Sequence, residues 1–300
     1  MVNIENFIID MFIYVGIFGI LSISLNLEYG FTGLWNFGKV AFYMIGAYTS
    51  AIVTTLGQPF YVGFAAGVVV SGLAGLLISL PALRLREDYL GILTLVFGEI
   101  IRIILKNEYW LGGPLGIRGI PSITTSGLSY TTALLIQLAS IGVIAALCYL
   151  VAHRLIHSPY GRVMRGIRED ELATASLGKN TFRYKASIFA ISSAMAGIAG
   201  AFMGQYVTSI TPDQFMPFVS FTVWMMVMLG GFANIEGAFL GAFLYIGFER
   251  AARIAKDYLL LPIDPNNLMF ILTGLLILIF VFFRPQGLLK ENKVRDYKGV

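Results

Sequence analysis

The chain has 300 residues, of which 57% are hydrophobic and only 13% charged; its mean hydropathy is +0.78 and its net charge +4. Soluble domains carry about a quarter charged residues, so this composition excludes a soluble enzyme and predicts an all-α polytopic membrane protein, a single transmembrane domain over residues 1–300, with no nucleic-acid partner. The single cysteine, Cys148, sits in an apolar run and leaves no internal disulfide or cysteine metal site.

Runs near the ~20 residues needed to cross a bilayer occur at 7–25, 40–56, 60–83, 89–105, 131–152, 186–208, 215–232, 235–256 and 267–283. The first has no basic region before it and no small-residue cleavage site, so no cleavable signal peptide is expected. Asp10 within it reads as interfacial. The stretch 28–39, EYGFTGLWNFGK, interrupts the first two runs with glycines, aromatics and an asparagine. One reading is irregular backbone inside the membrane, satisfied by protein or a cavity. The other is a surface loop whose Phe31, Trp35 and Phe37 form an aromatic belt. A separate crossing here would raise the count from nine spans to ten.

The run at 60–83 carries Gly63, Gly67, Ser71, Gly75 and Ser79, one small residue every fourth position, which lets a neighbouring helix approach closely. Ser192, Ala196, Gly200 and Gly204 repeat the device. Glu99 and Arg102 lie three apart on one helix face and can pair. Ionisable residues inside spans are functional candidates by default, so this candidate intramembrane pair is either structural or part of a translocation path. The glycines and prolines of KNEYWLGGPLGIRGIPS predict an ordered turn region after it.

Between 153 and 185 the chain turns polar, with seven Lys/Arg against three Asp/Glu, a local net charge of 7 − 3 = +4. Basic loops resist translocation, so this loop is expected in the cytoplasm. Glu169, Asp170 and Glu171 precede LATASLG, a short helix stopped by Gly178. His153 and His157 have no carboxylate or cysteine beside them, and no metal site is expected. Anchoring the loop inside places Arg84, Arg86 and the tail 284–300 inside as well. The turns at 57–59 and 209–214, the loop 106–130 and the N-terminus fall outside. Arg250, Arg253 and Lys256 are the exception, basic residues at the outer end of the eighth run, with the acidic Glu249 beside them. No phosphate-cradling glycine loop, zinc-protease helix or nucleophile elbow is present, nor a relay of Asp, Glu or His along a span. No cofactor is expected, and a transporter of this kind draws its energy from a partner.

The segment GRVMRGIREDELATASLGKNTFRYK resembles the cytoplasmic loop by which permeases of ATP-binding-cassette (ABC) importers dock their ATPase. GLWNFGKVAFYMIGAYTSA, LREDYLGILTLVFGEIIRIIL with LGGPLGI, MVMLGGFANIEGAFLGAFL and FRPQGLLK complete the resemblance, in order, to LivM-type permeases of branched-chain amino acid importers. It implies a mostly helical fold with two related halves, here a bundle of nine to ten helices by the count of runs, with a coupling helix in which Glu171, Ala173, Ala175 and Gly178 serve ATPase coupling. It also implies ATPase subunits, a second related permease and an extracytoplasmic substrate-binding protein as partners, in the cell membrane. Permeases for urea, amides or other small solutes are similar, and a gradient-driven secondary transporter is a further alternative.

Overall fold

The computed structural model describes residues 4–122 and 129–259, and beyond them 274, 275, 278, 282 and 287–291. In chain order the helices are α1 (Ile4–Thr32), α2 (Lys39–Thr55), α3 (Phe60–Ala82), α4 (Glu87–Asn107), α5 (Tyr130–His157), α6 (Pro159–Glu169), α7 (Glu171–Ser176), α8 (Thr181–Val207), α9 (Pro217–Gly230) and α10 (Ile235–Leu259). Two short strands, β1 (Ile117–Arg118) and β2 (Ser209–Ile210), pair antiparallel. The protein is an all-α membrane protein: α1, α3, α5 and α8 are each long and apolar enough to cross a bilayer, and α9 with α10 makes a fifth candidate bent by 117°.

Three local outcomes refine the sequence reading. The stretch 28–39 supplies no separate crossing, because 28–32 completes α1 and 33–38 is non-helical. The runs 215–232 and 235–256 meet at a sharp break; α9, at 14 residues, is about 21 Å long and falls short of the ~30 Å hydrocarbon core. The ninth run, 267–283, and most of the tail 284–300 lie outside the described residues.

The small-residue face of α3 is buried throughout, at Gly63, Gly67, Ser71, Gly75 and Ser79, and it meets α2 and α8. A Cβ on Gly67 would stand 2.8 Å from the Gly46 carbonyl oxygen, and one on Gly197 would stand 2.5 Å from the Ser71 Cβ. Backbone thus approaches backbone across three helices, where dispersion and short Cα–H contacts replace the side-chain interdigitation of a water-soluble core. The opposite face of α3 carries exposed Val69, Leu73 and Leu77, the chemistry of a lipid- or partner-facing surface.

Contacts define two ends. At one, β1 meets β2, Asp213 receives Arg102 and Lys106, and Asp10 near the start of α1 pairs with Arg250 late in α10. At the other, α6 meets the C-terminal part of α1 and the tail residue Glu291. The loop 153–185 and the described tail residues therefore share an end, opposite the turns around 117 and 210.

Candidate functional site

The polar loop folds as three linked pieces. α6 opens with Pro159 in its first turn, where a missing N–H costs nothing, and buries Gly161, Met164 and Ile167 on one face. The extended residue Asp170 ends α6 and caps α7, its Oδ1 accepting from the Ala173 N–H at 2.9 Å. Gly178 follows α7 with φ +77, a conformation costly for any residue bearing a Cβ. Asn180 then caps α8, accepting from the Arg183 N–H at 3.1 Å.

α7 turns one face to the protein and the rest outward. Thr174 is buried and Glu171 turns inward to an ion pair with Lys185 on α8. Ala173 and Ala175 are exposed, and so are Leu172 and Leu177, at 83% and 79%. Two exposed leucines flanking two alanines make a small apolar surface on an otherwise charged loop.

Behind α7, Arg168 reaches three places at once. Its Nη1 donates to the Gly30 carbonyl oxygen at 2.5 Å, and its Nη2 donates to Glu291 at 2.9 and 3.1 Å and to Glu169 at 2.8 Å. Gly33, at φ +75, passes close beneath it: a Cβ there would meet the Arg168 Cγ at 3.4 Å. Partners on both sides outweigh the cost of burial and hold the Arg168 cation more firmly than in water.

Arg168 therefore touches the two helix breaks, one directly and one through the tail. In the first break, between α1 and α2, Glu28 and Lys39 form an ion pair at 3.1 Å with neither side chain exposed. Ser192 of α8 hydrogen-bonds to both, and the Asn36 Nδ2 donates to the other Glu28 oxygen at 3.0 Å. The broken backbone is satisfied as well: Thr94 accepts from the Phe37 N–H, Ser220 accepts from the Val40 N–H, and the Trp224 indole donates to the Asn36 carbonyl oxygen at 2.8 Å. The second break, between α9 and α10, is held from α1. Asn26 accepts from the Ala233 N–H at 2.9 Å and donates to the Asn234 carbonyl oxygen at 2.7 Å. The tail adds two backbone bonds, Leu288 N–H to Leu229 and Leu289 N–H to Gly230, and the Asn234 side chain donates to Lys290. Trp224 lies 4.6 Å from Tyr29 and 5.0 Å from Phe37, so aromatic rings fill the space between the breaks.

Of the two sequence readings of 28–39, the structure supports irregular backbone held within protein. Phe31 is 1% exposed and belongs to no surface belt. Glu28 and Lys39 escaped the sequence reading because each stands at the apparent end of an apolar run, where a charge looks interfacial. The available signal was their opposite signs flanking a Gly- and Asn-containing interruption. Glu99 and Arg102 are paired by two contacts, and Asp213 and Lys106 extend the pair to a four-membered cluster between α4 and the turn before α9, with Glu99 33% and Asp213 47% exposed.

A polytopic helical protein whose interrupted helices meet at a buried polar network has the organisation of a membrane permease. Comparison with known proteins specifies which kind. The family model described as branched-chain amino acid transport system / permease component matches residues 7–281, and the chain belongs to that family. The high-affinity branched-chain amino acid transport system permease protein LivM of Salmonella typhimurium is 34% identical over 95% of this chain and 70% of its own length. The probable LivM of Methanocaldococcus jannaschii is 29% identical over 94% of this chain and 93% of its own. LivH of Escherichia coli is 25% identical, covering 92% of each. No solved structure matches significantly. The chain is thus a multi-pass membrane transport permease.

Proposed function

We propose that this chain is the permease subunit of an ABC importer that carries leucine, isoleucine and valine into the cell, with α7 as its coupling helix. The observation that carries the proposal is the surface of α7: Leu172 and Leu177 exposed beside Ala173 and Ala175, at the tip of a loop of net charge +4. Exposed leucines on a six-residue helix have no use in a solvated loop and suit a cleft in a partner. In this reading Ala173 and Ala175 make the contact, Glu171 staples α7 to Lys185, and Gly178 sets the angle at which α7 is presented. The partners are ATPase subunits, which hydrolyse ATP, a second permease of the LivH kind, and an extracytoplasmic binding protein that delivers the amino acid.

The N-terminus lies outside in this reading, in which α1, α3, α5 and α9 run toward the end that carries α6, while α2, α4, α8 and α10 run away from it. The substrate reading rests on the relatives' names together with an apolar, polar-ended cavity described below.

Reconstitution with the ATPases, second permease and binding protein tests the coupling role. Ala175→Arg forces a charge into the interface and Gly178→Val strains the turn. Both variants should insert and assemble as folded permease, yet lose leucine uptake and leucine-stimulated hydrolysis by about tenfold or more, Ala175→Arg through an unmatched interfacial charge and Gly178→Val through a misdirected α7. Wild-type uptake in both removes the coupling role.

A further inference from the structure

A cavity of about 210 Å³ lies at the end of the molecule opposite α7, between α1, α2, α8, α9 and α10. It is smaller than the roughly 300–1,000 Å³ that hold drug-sized ligands, a scale suited to a single amino acid. Its walls are divided in character. Tyr14, Tyr43, Glu249 and Arg250 contribute hydroxyls and both signs of charge; Phe18, Met203, Phe215 and Ile246 contribute apolar surface.

Arg250 is the fixed point. Its guanidinium stands 4.6 Å from the centre of the Tyr14 ring and its Nη2 contacts the Asp10 carboxylate at 2.8 Å. Side-chain exposure is 17%, so the cation is held at the cavity instead of extending into solvent. A guanidinium offers five N–H donors in a fork that matches a carboxylate. On charge patterning alone a cation at the outer end of α10 is misplaced. Its retention there, clamped by a ring and a carboxylate at a cavity wall, points to a use for the charge.

We propose that this cavity is an amino-acid-binding site on the outer side of the permease itself. The substrate carboxylate meets Arg250, its ammonium meets Glu249 and the tyrosine rings, which attract cations, and its aliphatic side chain lies against Phe18, Met203, Phe215 and Ile246. A zwitterion with an apolar side chain satisfies both halves of the lining, whereas an uncharged amide satisfies only the apolar half. Tyr43 lies four residues along α2 from Lys39, about 6 Å at the helical rise, so the occupant rests roughly one helical turn from the closed Glu28–Lys39 network. The proposal rests on the amino-acid reading given above and adds that this chain, not only the binding protein, recognises the substrate.

The test uses the assembled complex of both permeases and the ATPases with the binding protein omitted, followed by thermal unfolding with saturating L-leucine, L-leucinamide or 4-methylpentanoate. L-Leucine should raise Tm by about 2 °C or more, and the analogues lacking the carboxylate or the ammonium should raise it far less. Arg250→Gln should abolish the leucine shift. Asp10→Asn breaks the same ion pair but keeps the cation, and should retain the shift. Val219→Trp, which fills the cavity from α9, should also abolish it. An absent shift in the wild type, or equal loss in Asp10→Asn and Arg250→Gln, overturns the site. Leucine uptake by the intact importer, measured in parallel, separates the two readings: uptake without a shift removes only the site, and no uptake removes the substrate assignment beneath it.

Discussion

Glu28 and Lys39 lie 3.1 Å apart with no solvent exposure, one on each side of the interruption between α1 and α2. A buried pair stabilises little in net terms, because desolvation offsets most of its attraction, but a lone charge left behind is costly, of order 3–5 kcal/mol. Glu28→Ala and Lys39→Ala should therefore each lower the thermal stability of the purified permease more than Glu28→Ala combined with Lys39→Met. A double variant as unstable as the two singles added together would show that the residues act independently. The Arg102 cluster should respond more mildly. Glu99 and Asp213 are partly exposed, and solvent screening brings such pairs to about 1 kcal/mol or less. The sequence revealed the Glu99–Arg102 pair because both residues sit three apart on one helix. Asp213 comes from a turn 111 residues further on, a distance that no local pattern encodes.

At the level of elements, the helices and the small-residue faces were legible, since apolar run length and four-residue spacing are local properties. The break at 28–39 was legible only as one of two readings, and the break between α9 and α10 was not legible. A break needs partners to satisfy its backbone, and those partners (Asn26, Thr94, Ser220, Trp224 and the tail) are supplied by distant segments. The small face gives a direct prediction. Gly67→Leu places a side chain against the Gly46 carbonyl and should abolish assembly, while Leu76→Ala, on the exposed face, should leave expression and detergent stability near wild type. Equal behaviour of the two would place this face against lipid. The bridge from α6 gives another. Lysine cannot reproduce the forked contacts of Arg168 to Gly30 and Glu291. If α7 is the coupling helix as proposed, Arg168→Lys should keep ATPase binding and ATP hydrolysis but lose most leucine uptake, because the bridge from α6 to the breaks is weakened. Parallel loss of hydrolysis and uptake would assign Arg168 to ATPase docking instead.

For the whole molecule, the charge asymmetry of the loops predicts that the loop 153–185 and the tail share a side, and the structure places that loop and the tail residue Glu291 at one end and the β1–β2 ribbon at the other. What composition could not convey is that the two ends are joined: α1 carries Asp10 paired with the cavity residue Arg250, Asn26 and Glu28 at the breaks, and Gly30 under Arg168. One helix thus connects the proposed amino-acid site to the proposed coupling loop. The decisive test concerns the proposed contact of α7 with an ATPase subunit. With Cys148 replaced by Ser, a cysteine at Ala175 should cross-link to the ATPase subunit in inside-out membranes, with a yield that changes between nucleotide-free and ATP-bound states, while a cysteine at the exposed Leu115 should give no such product and should react with an impermeant thiol reagent from outside intact cells. Cross-linking at 115 in place of 175, or outside labelling of 175, would contradict the account.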